Sequence, residues 1–303
     1  MTGTLRAAAV VMAAAIVCAT ARAQDSRPLP VPEDLYRTVR ENLARAERVA
    51  HLYAFKDRRT DVHTNPFGRI GTGGTRVSEV YPSANRQLRY RRVVARNGVA
   101  VGSQEFAEQD RQYRVRAADV QRRLVNENVD ERRRREADSA RARQRGQRRV
   151  DDVVDALQFR VEGRTVYEGV PAIVVSFTAR PGARPDTREG RTAQRFAGTA
   201  WIHEAAREVM RVEAKSIDDI SFGFGLVAQL GEGTEATLTR RPIERDLWMP
   251  TRLTLKGQGR AALFRTLVID FAIDWFDYRR LGEDSALPFP DARVQRQPGG
   301  GPQ

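Results

Sequence analysis

From Phe196 to Leu281 apolar and polar residues alternate with a period of two, and turn residues separate the runs. Near its end Leu267, Ile269, Phe271, Ile273 and Trp275 fall on one face, and Val268, Asp270, Ala272 and Asp274 fall on the other. Successive side chains of a strand point to opposite faces, so this pattern predicts a long strand with one apolar face. Phe196, Gly198, Ala200 and Ile202 alternate with Ala197, Thr199, Trp201 and His203 in the same way. The stretch therefore predicts a meander of long antiparallel strands.

The earlier chain divides by the same reading. Leu35, Val39, Leu43, Ala46 and Ala50 recur at helical spacing, which predicts a helix over Glu33 to Ala50, with Glu33 and Asp34 favourably placed in its first turn. Strands are expected over Val49 to Asp61, Thr75 to Tyr81 and Gln87 to Arg96, with Asn97-Gly98 as a tight turn. Residues 103–157 contain no proline and a single glycine, Gly146. Phe106, Tyr113, Ala117, Val120 and Leu124 form one helical stripe there, and Val150, Val153, Val154 and Leu157 form another. The middle is polar. Two helices, or one long broken helix, are expected, docked at the ends and solvated between. Strands resume as a hairpin over Gln158 to Glu168 and Val170 to Arg180, and Pro181 to Arg195 reads as a polar loop.

The first residues change the picture. Arg6, the apolar run Ala7 to Val17 and the small-x-small motif Ala21-Arg22-Ala23 predict a secretory signal peptide over 1–23, followed by a linker over 24–32. Cys18 is the only cysteine, so a chain cut before Gln24 has no thiol for a disulfide or a thiolate metal site. The last residues, 284–303, are rich in Pro, Gly and Gln and predict a disordered tail. The main domain is thus expected over 33–283, in an exported, periplasmic or envelope-associated protein.

Formal net charge is +13, and losing Arg6 and Arg22 with the signal leaves +11. Lys56, Lys215 and Lys256 are the only lysines. The basic excess is concentrated in 132–149, where nine arginines face two acids. Arg132, Arg133, Arg134, Arg135, Arg141 and Arg145 are the candidate contacts to an anionic membrane surface. The plainer reading is a solvated helix face. No aromatic residue interleaves with them, which argues against nucleic acid.

Reactive chemistry is sparse. His51, His63 and His203 are the only histidines, and no third ligand is spaced to join Asp61 and His63 around a metal. Asp270 and Asp274 share a strand face, but their Cα atoms would lie about 13 Å apart, too far for a close acid pair. Gly223 and Gly225 lack the βαβ setting of a nucleotide loop. No catalytic residue, metal or cofactor is assigned, and the chain is read as a non-enzyme.

The stretches YEGVPAIVVSFTARPG, FAGTAWIHEAAREVMRVEAKS, LWMPTRLTLKGQGR and FRTLVIDFAIDWFDYRRL, in this order behind a signal peptide and a helix, resemble the outer-membrane lipoprotein-sorting carriers. The resemblance covers about the second half of the mature chain, and the Arg-rich insertion departs from it. It implies a mainly β fold, a curved antiparallel sheet forming an incomplete barrel covered by helices, with an apolar groove for a lipid or lipoprotein acyl chain. Trp201, Phe222, Phe224, Leu226, Trp248, Phe271 and Trp275 are the candidate lining. The function expected is a carrier or sensor of an acylated ligand. The alternative is an envelope assembly or interaction protein whose groove is filled by its own side chains.

Overall fold

A computed structural model describes residues 27–64, 72–83, 88–222, 228–261 and 265–281. The expected signal peptide and tail lie outside them. Its contacts divide the chain between Pro30 and Val31, and everything below concerns the part from Val31 onward.

Among the described residues thirteen strands form one sheet: β1 (Tyr53–Thr64), β2 (Thr72–Tyr81), β3 (Tyr90–Arg96), β4 (Val99–Ala100), β5 (Leu157–Tyr167), β6 (Val170–Ala179), β7 (Phe196–His203), β8 (Val209–Ser216), β9 (Ile220–Phe222), β10 (Ala228–Leu230), β11 (Glu235–Glu244), β12 (Leu247–Ala261) and β13 (Arg265–Arg280). The main path runs β4-β3-β2-β1-β13-β12-β11-β8-β7-β6-β5, with β10 pairing β12 and β9 pairing β10. The pairings along it are antiparallel. Among the described residues β4 and β5 are the edges of the path, so the sheet does not close, and the fold is the mainly β, incomplete barrel expected. Two turns follow directly from sequence. Asn97-Gly98 (φ 49° and 80°) and Glu168-Gly169 (φ 50° and 82°) supply the two successive positive φ angles that a tight hairpin needs.

Among the described residues four α-helices accompany the sheet. α1 (Pro32–Val49) starts on a proline and carries Glu33 and Asp34 in its first turn. Its Leu35 and Val39 pack on Ile173, Val175, Ile202 and Val209. Ala46 and Val49 pack farther along with Tyr53, Leu247, Met249 and Tyr278. The sheet face under Leu35 and Val39 is called inner here. The 103–157 insertion is two helices, α2 (Ser103–Val125) and α3 (Val129–Asp155). Asn128 and Glu131 form a capping box that starts α3.

The expectation that the helices cover one open face needs correction. α2 sets Tyr113 against Tyr81, Tyr90 and Ala54, whose register places them on the outer face. Gln109 of α2 also clamps the backbone of β3, accepting from Val93 N (2.8 Å) and donating to Val93 O (3.0 Å). α3, by contrast, ties to α1 through Arg149–Glu47 (3.3 Å) and Arg40–Asp151 (3.8 Å). A second correction concerns 181–195. The expected loop contains a short helix, α4 (Arg188–Ala193), because Asp152 of α3 accepts from the amides of Asp186 and Thr187 and from the Thr187 hydroxyl, and Thr187 in turn caps Gly190 N.

Candidate functional site

The strand registers line up two rows of side chains across the inner face. The first runs Val175, Ala200, Val212, Leu238, Leu253, Ile273. The second runs Phe177, Gly198, Ala214, Ala236, Leu255, Phe271. Six strands at about 4.8 Å spacing make each row about 24 Å long. Gly198, Ala200, Ala214 and Ala236 are the small residues of these rows, with Val212 and Leu238 beside them and larger side chains on β6, β12 and β13; the apolar strip so formed is called the trough.

The trough is not closed by the helix. The core cluster under α1 reaches only as far as Val212. A second cluster, built on Ile220, Leu230, Leu267 and Ile269, reaches Leu255 and Phe271 from the other end. Ala236, Leu238, Leu253 and Ile273 lie between and belong to neither cluster. They are half-buried. Two clefts, of about 380 and 460 Å³, open elsewhere on the sheet and mix charged with apolar lining.

Both rows end at charge on β1. Arg59 pairs with Ile273 in register and Asp61 with Phe271. The Arg59 guanidinium lies 4.4 Å over the Phe271 ring and binds the Asp61 carboxylate through Nε and Nη2. Beside them Asp57, opposite Trp275, accepts from Arg91.

A buried ion pair lies where α1 meets the β7–β8 turn. Arg240 Nη1 donates to Glu208 at 2.9 Å, and Arg240 Nη2 donates to the Trp248 carbonyl at 2.6 Å. Both side chains are 5% exposed or less. Arg45 of α1 approaches Glu208 at 3.6 Å, and Asn42 donates to the carbonyls of Ala206 and Arg207. Burial pushes Glu208 up from its ordinary value, against the pull of Arg240 and Arg45. Burial likewise pushes Arg240 down, against the pull of Glu208.

The seven lining candidates separate. Phe271 and Trp275 stand on the inner face with the trough. Trp201 pairs with Val174 and Arg211, which places it on the outer face, its ring 6.0 Å from Tyr167. Trp248 packs with Ala172 and Met210 in a cluster that Tyr167 and Val170 complete. Trp201 and Trp248 therefore do not share one groove with Phe271 and Trp275. The Phe222 backbone pairs with Ala228 in β9. Its side chain, and all of Phe224 and Leu226, lie outside the described residues. The trough residues that sequence reasoning passed over, Val212, Ala214, Ala236, Leu238, Leu253 and Leu255, are aliphatic and carry no individual signal. Only the register between strands brings them together.

The remaining candidates are placed as follows. Arg132, Arg133 and Arg134 are exposed and make no ion pair among the described residues. Arg135 binds Glu127, and Arg141 binds Asp138. The Arg145 side chain lies outside the described residues. Asp270 and Asp274 face Lys256 (3.7 Å) and Arg252 (2.7 Å) across the strands. His203 accepts from Ala206 N and meets the Trp248 ring edge-on. Among the described residues no three metal-ligating side chains converge, and no helix is long and apolar enough to cross a membrane.

No family model and no curated protein matches the chain. Among solved structures it is similar to a DUF1329 family protein from Desulfovibrio piger, at 11% identity over 82% of this chain and 92% of that one, with a TM-score of 0.29. It is also similar to a domain from Vibrio parahaemolyticus provisionally assigned to outer membrane lipoprotein sorting, at 10% identity over the same shares, with a TM-score of 0.32. The second bears the name of the family that the sequence resembles. Likeness at this level carries no argument about what the chain does, so function rests on the site.

Proposed function

We propose that the protein is a non-catalytic carrier or sensor that lays a lipid or acylated ligand along the inner-face trough. One observation carries this reading: two continuous apolar rows in which Ala236, Leu238, Leu253 and Ile273 are half-buried and belong to neither core cluster. Each methylene moved from water onto such a surface contributes about 0.8 kcal/mol, so a long chain could be held without any reactive group. Ordering the ligand offsets part of that gain. The export reading of residues 1–23 fits a protein that meets lipid outside the cytoplasm.

The test uses delipidated protein and a fatty acid brominated along its chain, which quenches tryptophan only at short range. Quenching should be saturable and come mainly from Trp275, so Trp275→Phe should remove most of it and Trp201→Phe should remove little. Ile273→Glu places a charge in the trough and should weaken binding at least about tenfold, one charged group in an apolar contact being worth more than 1.4 kcal/mol. Folded, delipidated protein that shows no saturable quenching would overturn the carrier reading. The assembly or interaction protein, its trough filled by its own side chains, would then replace it.

A further inference from the structure

We propose that the elbow between α2 and α3 docks this protein onto an anionic lipid surface, Val125 and Val129 entering the surface and Arg132, Arg133 and Arg134 binding its head groups. The inference does not depend on what the trough holds. It starts from a helix that packs on nothing along much of its length: residues 128–138 are all exposed. A solvated, charged helix accounts for exposed arginines. It does not account for the valines at the bend, where Val125 is 70% exposed at the end of α2 and Val129 is 62% exposed at the start of α3.

The bend is held, not loose. The Asn128 side chain accepts from Glu131 N at 2.9 Å, and the Glu131 carboxylate accepts from Asn128 N at 3.0 Å. Glu127 accepts from Arg135 through both carboxylate oxygens. Two of the acids nearest the bend are thereby engaged, and Asp130 stays exposed. Among the described residues Arg132, Arg133 and Arg134 have no such partner, and they follow within the first turns of α3. A short apolar tip backed by exposed guanidinium groups matches the boundary of an anionic bilayer, where shallow insertion and head-group attraction add. A flat polyanion would use the arginines and leave the valines in water. A single-stranded nucleic acid would want aromatic platforms, and residues 126–149 contain none.

Sedimentation with vesicles of phosphatidylglycerol and phosphatidylcholine tests the docking, using the full mature chain. Binding should need the anionic lipid and fade as salt shortens the Debye length. Arg132→Glu, Arg133→Glu and Arg134→Glu together should lower the partition coefficient on the order of a hundredfold, since each basic group near the surface contributes about a factor of five. Val125→Asp with Val129→Asp should lower it as well, without moving the thermal midpoint, because both positions are solvent-facing. Val129→Trp should report directly: its emission should shift blue and be quenched by brominated phosphatidylglycerol, relative to the unsubstituted chain. The proposal is overturned if anionic vesicles do not bind. It is also overturned if the arginine reversal weakens binding while the valine pair does not and Val129→Trp stays unquenched, which would make the arm a general polyanion binder. Acyl-probe binding in the same variants should be unchanged, which keeps this result separate from that of the trough.

Discussion

Arg240 shows how much one side chain decides here. Its guanidinium is buried against Glu208 and the Trp248 carbonyl, beneath a helix that is itself anchored by Asn42 and Arg45. Removing one member of a buried pair leaves the other as an uncompensated charge, so Arg240→Met should cost about 3–5 kcal/mol in urea unfolding. Adding Glu208→Gln should recover part of that loss, and a double variant as unstable as the single one would show that the pair is not what matters. At this scale the sequence was only partly legible. Phe271 and Trp275 were recognisable because large aromatics on an alternating strand announce a buried face. Gly198, Ala214 and Ala236 were not, because a small residue looks the same in a tight crossing as in a loop. Gly198 is in fact constrained: a Cβ there would sit 2.0 Å from the Glu213 carbonyl. Trp201, half-buried, and Trp248, buried, were legible as packed aromatics but not as residues away from the trough, since assigning a face requires the partner strand.

Elements bounded by strong local signals were the readable ones. The hairpin turns at Asn97-Gly98 and Glu168-Gly169 and the helix α1 fall within a few residues of their expected places. The break between α2 and α3 followed from the loss of apolar periodicity after Leu124. α4 was invisible because its stabilising partner is distant in sequence. Asp152 lies more than thirty residues upstream and collects two amides and a hydroxyl. Burial disfavours its charge, but the bonds from Thr187 and Asp186 outweigh that and hold its carboxyl below the ordinary range. A carboxylate depressed in the folded state stabilises above its ordinary value and loses that contribution as pH falls through its folded value. Asp152→Asn should therefore lower stability by about 1 kcal/mol at neutral pH, a modest figure because the group is partly exposed. The gap to the unsubstituted chain should close in acid, and a gap that persists unchanged at low pH would contradict the assignment. The short strands β9 and β10 gave no signal either, three residues being too few to show a period.

At the scale of the molecule the sheet was legible and its two faces were not. Long runs of period two mark the long strands and their two faces, but whether α2 lies inside or outside depends on contacts that no local pattern encodes. Because the inner face is continuous from β6 to β13, damage at either end should be felt by the whole. Ile173→Asp and Ile269→Asp each bury a carboxylate at positions 4% exposed or less and should each cost several kcal/mol. Both should shift one shared urea transition, seen alike by tryptophan emission and circular dichroism, and two separate transitions would show that the ends unfold independently. The free edges have a further consequence. Strand β4 and strand β5 lie at opposite ends of the sheet, yet in sequence only α2, the bend and α3 separate them. The hydrogen bonds leave a gap, and the covalent chain bridges it with two stiff rods joined at Asn126–Asn128. Such a linkage has one joint, and the Asn128–Glu131 capping box and the Arg135–Glu127 pair hold it. The two edges are therefore tied across residues 101–156 by the covalent chain and not by strand pairing.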